Sequence, residues 1–178
     1  MEIFPILETD KFILRKISMD DSYNLFEVFS NENIMKFYGM FPVNDISKIN
    51  DLINHFDNLF AEDKGIRWAI ISKESNDLIG TCGFHNWNQK HFRAEIGYEL
   101  KELHWGKGYM NEVLKEIINY GFSQMSSYRI EALIYPENEK SYNSLMKIGF
   151  EYEGFLKGYA FYRNIHQDLK LFSIVNKI

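Results

Sequence analysis

Three strand-like segments follow one another between residues 67 and 100, with only short polar turns between them. Each is rich in β-branched or aromatic residues, as strands are; the segments are Arg67–Ser72, Leu78–Trp87 and Phe92–Leu100. A parallel connection needs a crossover of about a dozen residues, which these turns are too short to supply. The segments therefore predict an antiparallel meander, and the rest of the chain has to pack around that sheet.

Four helices are predicted around the meander by apolar residues that recur every three or four positions and by capping residues. The first follows Ser18, with Asp21 completing a capping box. The others span about 45–62, 109–125 and 138–148. The last ends at Gly149, where a left-handed backbone is favoured. The buried face of the second helix is predicted to consist of Ile46, Ile49, Ile53, Phe56 and Phe60.

The remaining segments complete a mixed α/β pattern. Asn31–Val43 is expected to be irregular, and further strands are predicted at 12–17, 129–135, 151–159 and 168–176. The order is then β, α, α, β, β, β, α, β, α, β, β, which indicates an α/β domain with one central sheet. Residues 1–178 are expected to form a single domain, because no repeat or Pro/Gly-rich linker interrupts them.

Composition excludes several classes of protein. Hydrophobic residues make up 46% and charged residues 25%, the balance of a globular chain. No apolar run approaches the ~20 residues of a membrane span, and residues 1–10 do not read as a signal peptide. Cys82 is the one cysteine, so no internal disulfide is possible and a reducing, cytoplasmic location is expected. The net charge of −5, without a basic patch, argues against a nucleic-acid partner.

A glycine-containing loop between the third meander strand and the next helix predicts an anion site. In Trp105-Gly106-Lys107-Gly108-Tyr109-Met110, the two glycines permit a tight turn directly before a helix. The unpaired N–H groups and the positive end of the helix dipole favour a phosphate there. The loop matches neither the P-loop pattern nor the dinucleotide fingerprint, so a nucleotide enzyme is disfavoured.

Two further stretches accompany this loop in order. Glu8-Thr9-Asp10-Lys11-Phe12-Ile13-Leu14-Arg15 matches a pattern written ETERLxLR, and 138–154 matches NxxSxxxxxKxGFxxEG. With these stretches and the loop, the sequence resembles the GNAT superfamily of acetyl-CoA-dependent N-acetyltransferases. The similar branch contains ribosomal-protein-alanine N-acetyltransferases, and the resemblance covers nearly the whole chain.

The resemblance implies a mostly antiparallel mixed sheet that is splayed in the middle and flanked by about four helices. It implies that acetyl-CoA is the cosubstrate, with its pyrophosphate held by backbone N–H groups of Gly106, Lys107, Gly108, Tyr109 and Met110. The pantetheine arm would pair with the backbone of Tyr98, Glu99 and Leu100 and contact Asn138. No metal is expected, because none of the five histidines has a zinc-ligand spacing with the cysteine.

Three positions depart from the family pattern. Trp105 stands where many members have Gln or Arg, and Met110 replaces a small residue and would crowd the pyrophosphate. Leu145 stands where many relatives have a tyrosine that is thought to protonate the leaving thiolate, so this chain lacks that acid. Ser141 is the alternative acid candidate, although a serine at a helix start also caps backbone groups.

The resemblance implies a carboxylate base that takes a proton from the attacking amine. Glu95 is the first candidate and Glu99 the second, since alternation places both on one strand face with Gly97. Both could equally be ordinary polar strand residues. His85 could face the acceptor cleft, but it is interpreted as a hydrogen-bonded structural histidine. A catalytically silent acyl-CoA-binding module is the alternative from another class.

The acceptor is expected to be a cationic amine. A cleft lined by Glu32, Asp45, Glu95 and Glu99 would attract one. A protein N-terminal α-amine is favoured, since its pKa near ~8 leaves more of it neutral than a lysine amine. A small amine such as a polyamine or aminoglycoside is the alternative, and a homodimer is left open.

Overall fold

The computed structural model describes residues 3–177, which form one eight-stranded sheet with helices on both faces. The strands are β1 Leu7–Glu8, β2 Phe12–Lys16, β3 Ile66–Ser72, β4 Leu78–Asn88, β5 Arg93–Leu100, β6 Arg129–Ile134, β7 Glu151–Tyr162 and β8 Ile165–Val175. The α-helices are α1 Ser22–Phe29, α2 Glu32–Met35, α3 Ser47–Ala61, α4 Tyr109–Ser123 and α5 Glu139–Lys147. Within the described residues, no helix is long and apolar enough to cross a membrane.

The sheet has the order β1-β2-β3-β4-β5-β6-β8-β7. Strands β3, β4 and β5 pair antiparallel, so the predicted meander is confirmed. The mixed α/β fold class is confirmed as well. Two elements were missed: β1, and α2 inside the segment that was expected to be irregular.

The sheet opens in the middle, as the resemblance implied. Strands β5 and β6 are the one parallel pair among those described, and they pair only from Arg93–Glu95 to Arg129–Glu131. Beyond Glu95, β5 continues against β4 while β6 continues against β8, so the two strands separate. A wedge-shaped gap therefore begins at Glu95 and widens toward the end of β5.

Two hydrophobic cores cover the two sheet faces. Helix α4 packs on one face over fully buried residues such as Trp68 and Phe84, while α1–α3 cover the other face around Phe29 and Ile49. Burying each such side chain stabilises the fold by roughly 1.5–3 kcal/mol relative to exposing it. The predicted core position Ile46 is wrong, because α3 begins after it and its side chain is 45% exposed.

Candidate active site

The loop before α4 has the geometry of an anion-binding turn. Gly106 and Gly108 have φ angles of +74° and +78°, a conformation that other residues rarely adopt. No described heavy atom lies within 4 Å of the position that a Cβ would take at either glycine. The loop therefore leaves open space beside the first turn of α4, where backbone N–H groups lack intrahelical partners.

A cavity of about 780 Å³ lies against this loop. Four basic side chains line it, namely Lys36, His104, Lys140 and Lys147, as do the acidic Glu99, Glu137 and Glu139. Lys140 Nζ lies 3.6 Å from the ring centre of Trp105, so the tryptophan holds a cation at the cavity wall. Burial, followed by the charges of Lys107 and Lys101, lowers the pKa of His104. The side chain of Met110 is buried in the main core and also borders this cavity at the start of α4.

A second cavity of about 510 Å³ lies across the gap between β5 and β6. Aromatic side chains dominate its wall: Phe37, Tyr38, Phe56, Phe84, Trp87, Tyr98, Tyr135 and Tyr162. Five residues line both cavities, namely Phe37, Tyr38, Tyr98, Asn138 and Ser141. The two spaces therefore meet at these residues, between the open end of β5 and the start of α5.

Glu95 lies in this second cavity with both carboxylate oxygens engaged. His85 Nε2 lies 3.0 Å from Oε1, and the Asn86 side-chain amide donates to Oε2 at 2.9 Å. Burial raises the pKa of Glu95, but the hydrogen bonds from His85 and Asn86 and the charge of Arg93 outweigh it. The net pKa is lowered, so Glu95 is a carboxylate at neutral pH.

Glu99 is placed very differently. Its carboxylate is buried, pairs with the guanidinium of Arg67 and accepts a hydrogen bond from the Thr81 hydroxyl. Burial lowers the pKa of Arg67, but the charge and hydrogen bond of Glu99 outweigh it, so its pKa is raised. The pair therefore carries no net charge. Both oxygens of the Glu99 carboxylate are bound by Arg67 or Thr81, so neither is free for a substrate amine.

Gly97 lies between these two carboxylates on the same strand face. A Cβ there would lie 3.0 Å from Arg67 Nη1, 3.3 Å from His85 Cε1 and 3.5 Å from His85 Nδ1. The absence of a side chain at Gly97 therefore lets the guanidinium and the imidazole lie directly over β5. Arg67 Nη1 also donates to the Gly97 carbonyl at 2.9 Å.

The residues at the junction of the two cavities carry the remaining predicted roles. Asn138 caps α5, because its side-chain oxygen accepts from the Ser141 N–H at 3.2 Å. The Tyr98 hydroxyl is buried beside Ser141; burial raises the pKa of Tyr98 to about 12, and Ser141 opposes the shift. Leu145 is fully buried in the main core.

The structure brings together some of the predicted site residues and separates others. Glu95, Tyr98, Asn138 and Ser141 line the aromatic cavity, and Tyr98, Glu99, Leu100, Gly106, Gly108, Tyr109, Met110, Asn138 and Ser141 line the larger one. Lys107 lines neither, and its side chain is exposed.

The expectation of an acidic acceptor cleft is wrong. Glu32 and Asp45 line neither cavity, and Glu99 is neutralised by Arg67. Glu95 is the one acid in the wall of the aromatic cavity, beside the basic Lys64 and Arg67. The four acidic residues lie in segments that were expected to form the cleft, but their side chains do not line one common cavity.

Sequence reasoning did not identify Arg67 as a site residue, and it interpreted His85 as a structural histidine, whereas both line the aromatic cavity. Arg67 pairs across β3–β4 with Gly83, and His85 pairs across β4–β5 with Glu95. Aligning the three meander strands by their alternation could have placed both on the Glu95 face. Phe37, next to α2, carried no such signal. Within residues 3–177, no group of three or more His, Cys, Asp or Glu side chains is arranged to hold a metal ion.

Comparison with known proteins gives a consistent result. Residues 11–151 match the family model described as an acetyltransferase (GNAT) domain. The chain is 42% identical to the uncharacterized N-acetyltransferase YoaA of Bacillus subtilis (strain 168), over 97% of this chain and 98% of that protein. It is 28% identical to the [ribosomal protein uS5]-alanine N-acetyltransferase of Escherichia coli (strain K12), over 86% and 81%. A GNAT-family acetyltransferase structure from Bacillus anthracis superposes with a TM-score of 0.84 at 27% identity, covering 96% and 98%.

Proposed function

We propose, from the premise that this chain belongs to the GNAT family and is an acetyl-CoA-dependent N-acetyltransferase, that its acceptor is an α-amine at the N-terminus of a protein or peptide. The observation that carries the proposal is the junction of two cavities. One adjoins the anion-binding loop, the other holds the Glu95–His85 pair, and they meet at Tyr98, Asn138 and Ser141.

The larger cavity is proposed to take acetyl-CoA. The turn at Gly106 and Gly108 and the start of α4 would hold the pyrophosphate, with Lys36, Lys140 or Lys147 adding positive charge. Past Glu95, β5 has no β6 partner, so its outer backbone groups can pair with an extended amide-containing arm. Trp105 Nε1 donates to the Leu100 carbonyl at 2.8 Å, which marks where that free edge ends.

The aromatic cavity is proposed to take the amine. An amine attacks a thioester only when it is neutral, and it must lose a proton as the amide forms. The Glu95–His85 pair is the proton-accepting unit that lies in this cavity. On the other side of the junction, the Tyr98 and Ser141 hydroxyls are the candidates to donate a proton to the departing thiolate, since Leu145 has none to give.

The charge of the aromatic cavity supports a single amine over a polyamine. A polycation would find one carboxylate in that wall, Glu95, which already binds His85 and Asn86, because Glu99 is neutralised by Arg67. Among monoamines, an α-amine has the lower pKa, near ~8, so a larger share of it is neutral at pH 7. The similarity to a ribosomal-protein-alanine N-acetyltransferase supports the same choice.

An acceptor panel tests the proposal. Acetyl-CoA is mixed with peptides beginning in alanine, with spermidine and with an aminoglycoside, and release of the CoA thiol is followed. We expect the highest kcat/KM with a peptide, and none with the same peptide blocked at its N-terminus. A higher kcat/KM with spermidine or the aminoglycoside would contradict the α-amine. Acetyl-CoA binding without thiol release for any amine would favour the silent binding module.

A further inference from the structure

We propose that the imidazole of His85 accepts the proton of the attacking amine, and that Glu95 is a positioning residue that holds the ring. This inference rests on the proposed function, because it assigns a role within the same transfer reaction. It changes the part played by Glu95 from base to partner of the base.

The hydrogen bonds around Glu95 support this assignment. Oε1 of the carboxylate lies 3.0 Å from His85 Nε2, and Oε2 accepts from Asn86 at 2.9 Å. Both oxygens are therefore in use within the protein. A neutral imidazole that donates from Nε2 carries its lone pair on Nδ1, which is then the basic atom.

The Nδ1 nitrogen of His85 lies beside Gly97, and this position carries the proposal. Nδ1 of His85 lies 3.5 Å from the point where a Cβ of Gly97 would be. Gly97 lies just past Glu95, where β5 has parted from β6 and the gap between the cavities begins. The basic atom therefore lies at the mouth of that gap, where an amine in the aromatic cavity would approach a thioester along β5.

The solvent exposure of the His85 and Glu95 side chains supports the same assignment. The His85 side chain is 38% exposed and that of Glu95 is 16% exposed. Both residues line the aromatic cavity, and the Glu95 side chain is the less exposed of the two. An amine that enters the cavity thus meets the imidazole more readily than the carboxylate.

The chemistry of the two groups favours the same choice. A general base is most effective when its pKa is near the working pH. The hydrogen bonds that lower the pKa of Glu95 make that carboxylate a weaker base. Its negative charge instead stabilises an imidazolium.

Other charged or titratable groups also border the cavity around His85. Besides Glu95, they are Arg67 from β3, His55 from α3, Lys64 from the loop before β3, and the tyrosines Tyr38, Tyr98, Tyr135 and Tyr162. Arg93 from β5 acts on Glu95, whose pKa its charge helps to lower.

The amine nitrogen attacks the thioester carbonyl carbon and forms the C–N bond while Nδ1 of His85 takes one proton from that nitrogen. The C–S bond breaks and its electron pair leaves with the thiolate, which takes a proton from a hydroxyl at the junction or from water. The imidazolium returns its proton to water through the open cavity, and the products are an amide and free CoA.

Chemical rescue tests the role of His85. With an accepted peptide, we expect His85→Ala to lower kcat by about 10²–10⁴-fold, the usual loss of a general base. Added imidazole should restore at least a tenfold rise in rate that saturates with imidazole concentration. It should not stimulate Glu95→Gln, nor His91→Ala, in which the lost histidine lies on an exposed turn outside both cavities.

A second variant guards against loss of folding. His85→Gln can still donate to Glu95 but cannot accept a proton, so it should lose as much activity as His85→Ala while acetyl-CoA affinity, measured by calorimetry, stays within threefold of wild type. Near-normal turnover of His85→Gln, no effect of imidazole on His85→Ala, or a larger loss in Glu95→Gln than in His85→Ala would each overturn the inference. A wild-type enzyme that acetylates no amine would instead overturn the proposed function.

Discussion

The guanidinium of Arg67 binds the buried carboxylate of Glu99, and Arg67 lines the aromatic cavity while Glu99 lines the larger one. Both side chains are nearly inaccessible, at 7% and 5% exposure. This pairing distinguishes two carboxylates that look alike in the sequence. Glu99 is held by Arg67 and Thr81, whereas Glu95 is held by a histidine in an open cavity.

Removing one partner of that buried pair should destabilise the protein strongly. Arg67→Met leaves Glu99 charged and unpaired, which typically costs about 3–5 kcal/mol. The double variant Arg67→Met with Glu99→Met should recover most of this loss, because apolar side chains of similar length can fill the site. Urea denaturation of the three proteins measures the difference, and equal stability of the single variant and wild type would contradict the buried-pair interpretation.

Glu95→Gln should slow turnover without weakening acetyl-CoA binding. The amide keeps the size of the side chain but removes the charge that orients and stabilises a protonated His85. We expect kcat to fall by less than the ~10²–10⁴-fold loss of a base itself. Steady-state kinetics with calorimetry of acetyl-CoA binding checks this. An unchanged kcat would show that the carboxylate contributes nothing to proton removal.

Gly108→Asp should weaken acetyl-CoA binding by at least about tenfold. The substitution places a side chain and a negative charge in the open space beside the helix start, at a φ of +78°. Gly158→Asp is the matched control, because Gly158 also has a positive φ of +58°, no described heavy atom outside its chain neighbours lies within 4 Å of its Cβ position, and it lines neither cavity. Calorimetry on both folded variants measures the effect. Equal affinities for the two would place the pyrophosphate elsewhere.

Tyr98→Phe should reduce kcat more than Ser141→Ala does. The pKa of Tyr98 is raised to about 12, so its hydroxyl stays protonated over the working range and can donate to a thiolate. A thiolate leaves easily, so the loss should be smaller than the ~10²–10⁴-fold loss of a base. Single-turnover rates with a good acceptor peptide separate the two hydroxyls. A larger loss in Ser141→Ala would assign the proton to the serine.

The free energy of unfolding should depend on pH through the pair formed by Arg129 on β6 and Glu153 on β7. Arg129 binds Glu153, and this hydrogen bond together with one from Ser173 lowers the pKa of Glu153 to about 2. A lowered pKa stabilises the fold above the unfolded value near ~4.3, and that contribution is lost as pH falls toward 2. Glu153→Gln should therefore lower stability at pH 7 by about 0.2–1 kcal/mol and make no difference near pH 2.

Thermal unfolding from pH 7 to pH 2 checks the Glu153 prediction. Glu151→Gln, an exposed glutamate on the same strand, is the control and should show no such pH dependence. A gap between Glu153→Gln and wild type that persists at pH 2 would contradict the assigned cause.

Periodicity and turn length were enough to predict most of the fold. The meander and the helix before Gly149 follow from local signals, and Gly149 does adopt a φ of +96°. Helix α2 was missed because four residues cannot show a helical period. Ile46 was misplaced because its apolar character continued the helical spacing although the helix begins one residue later.

The sequence predicted the part of the site that lies within a single segment, and it did not predict contacts between distant segments. The loop at Gly106 and Gly108 is local, so its sequence indicates both its turn and its anion preference. The partners of Glu95 and Glu99 come from β3 and β4, and their identity depends on strand register. The charge of the aromatic cavity depends on the path of distant chain segments, and it was the property that sequence reasoning predicted wrongly.

The short parallel contact between β5 and β6 makes the two halves of the sheet a weakly joined pair. Only three residue pairs of β5 and β6 are joined in strand register, so we expect hydrogen exchange of these two strands to be fastest where they part. A cosubstrate arm that pairs with the free edge of β5 would bridge the two halves of the sheet while it is bound. Its binding would raise unfolding free energy by about 2.7 kcal/mol at a hundred times its Kd. Because proteolysis acts on the opened protein, bound acetyl-CoA should also slow its cleavage by a protease.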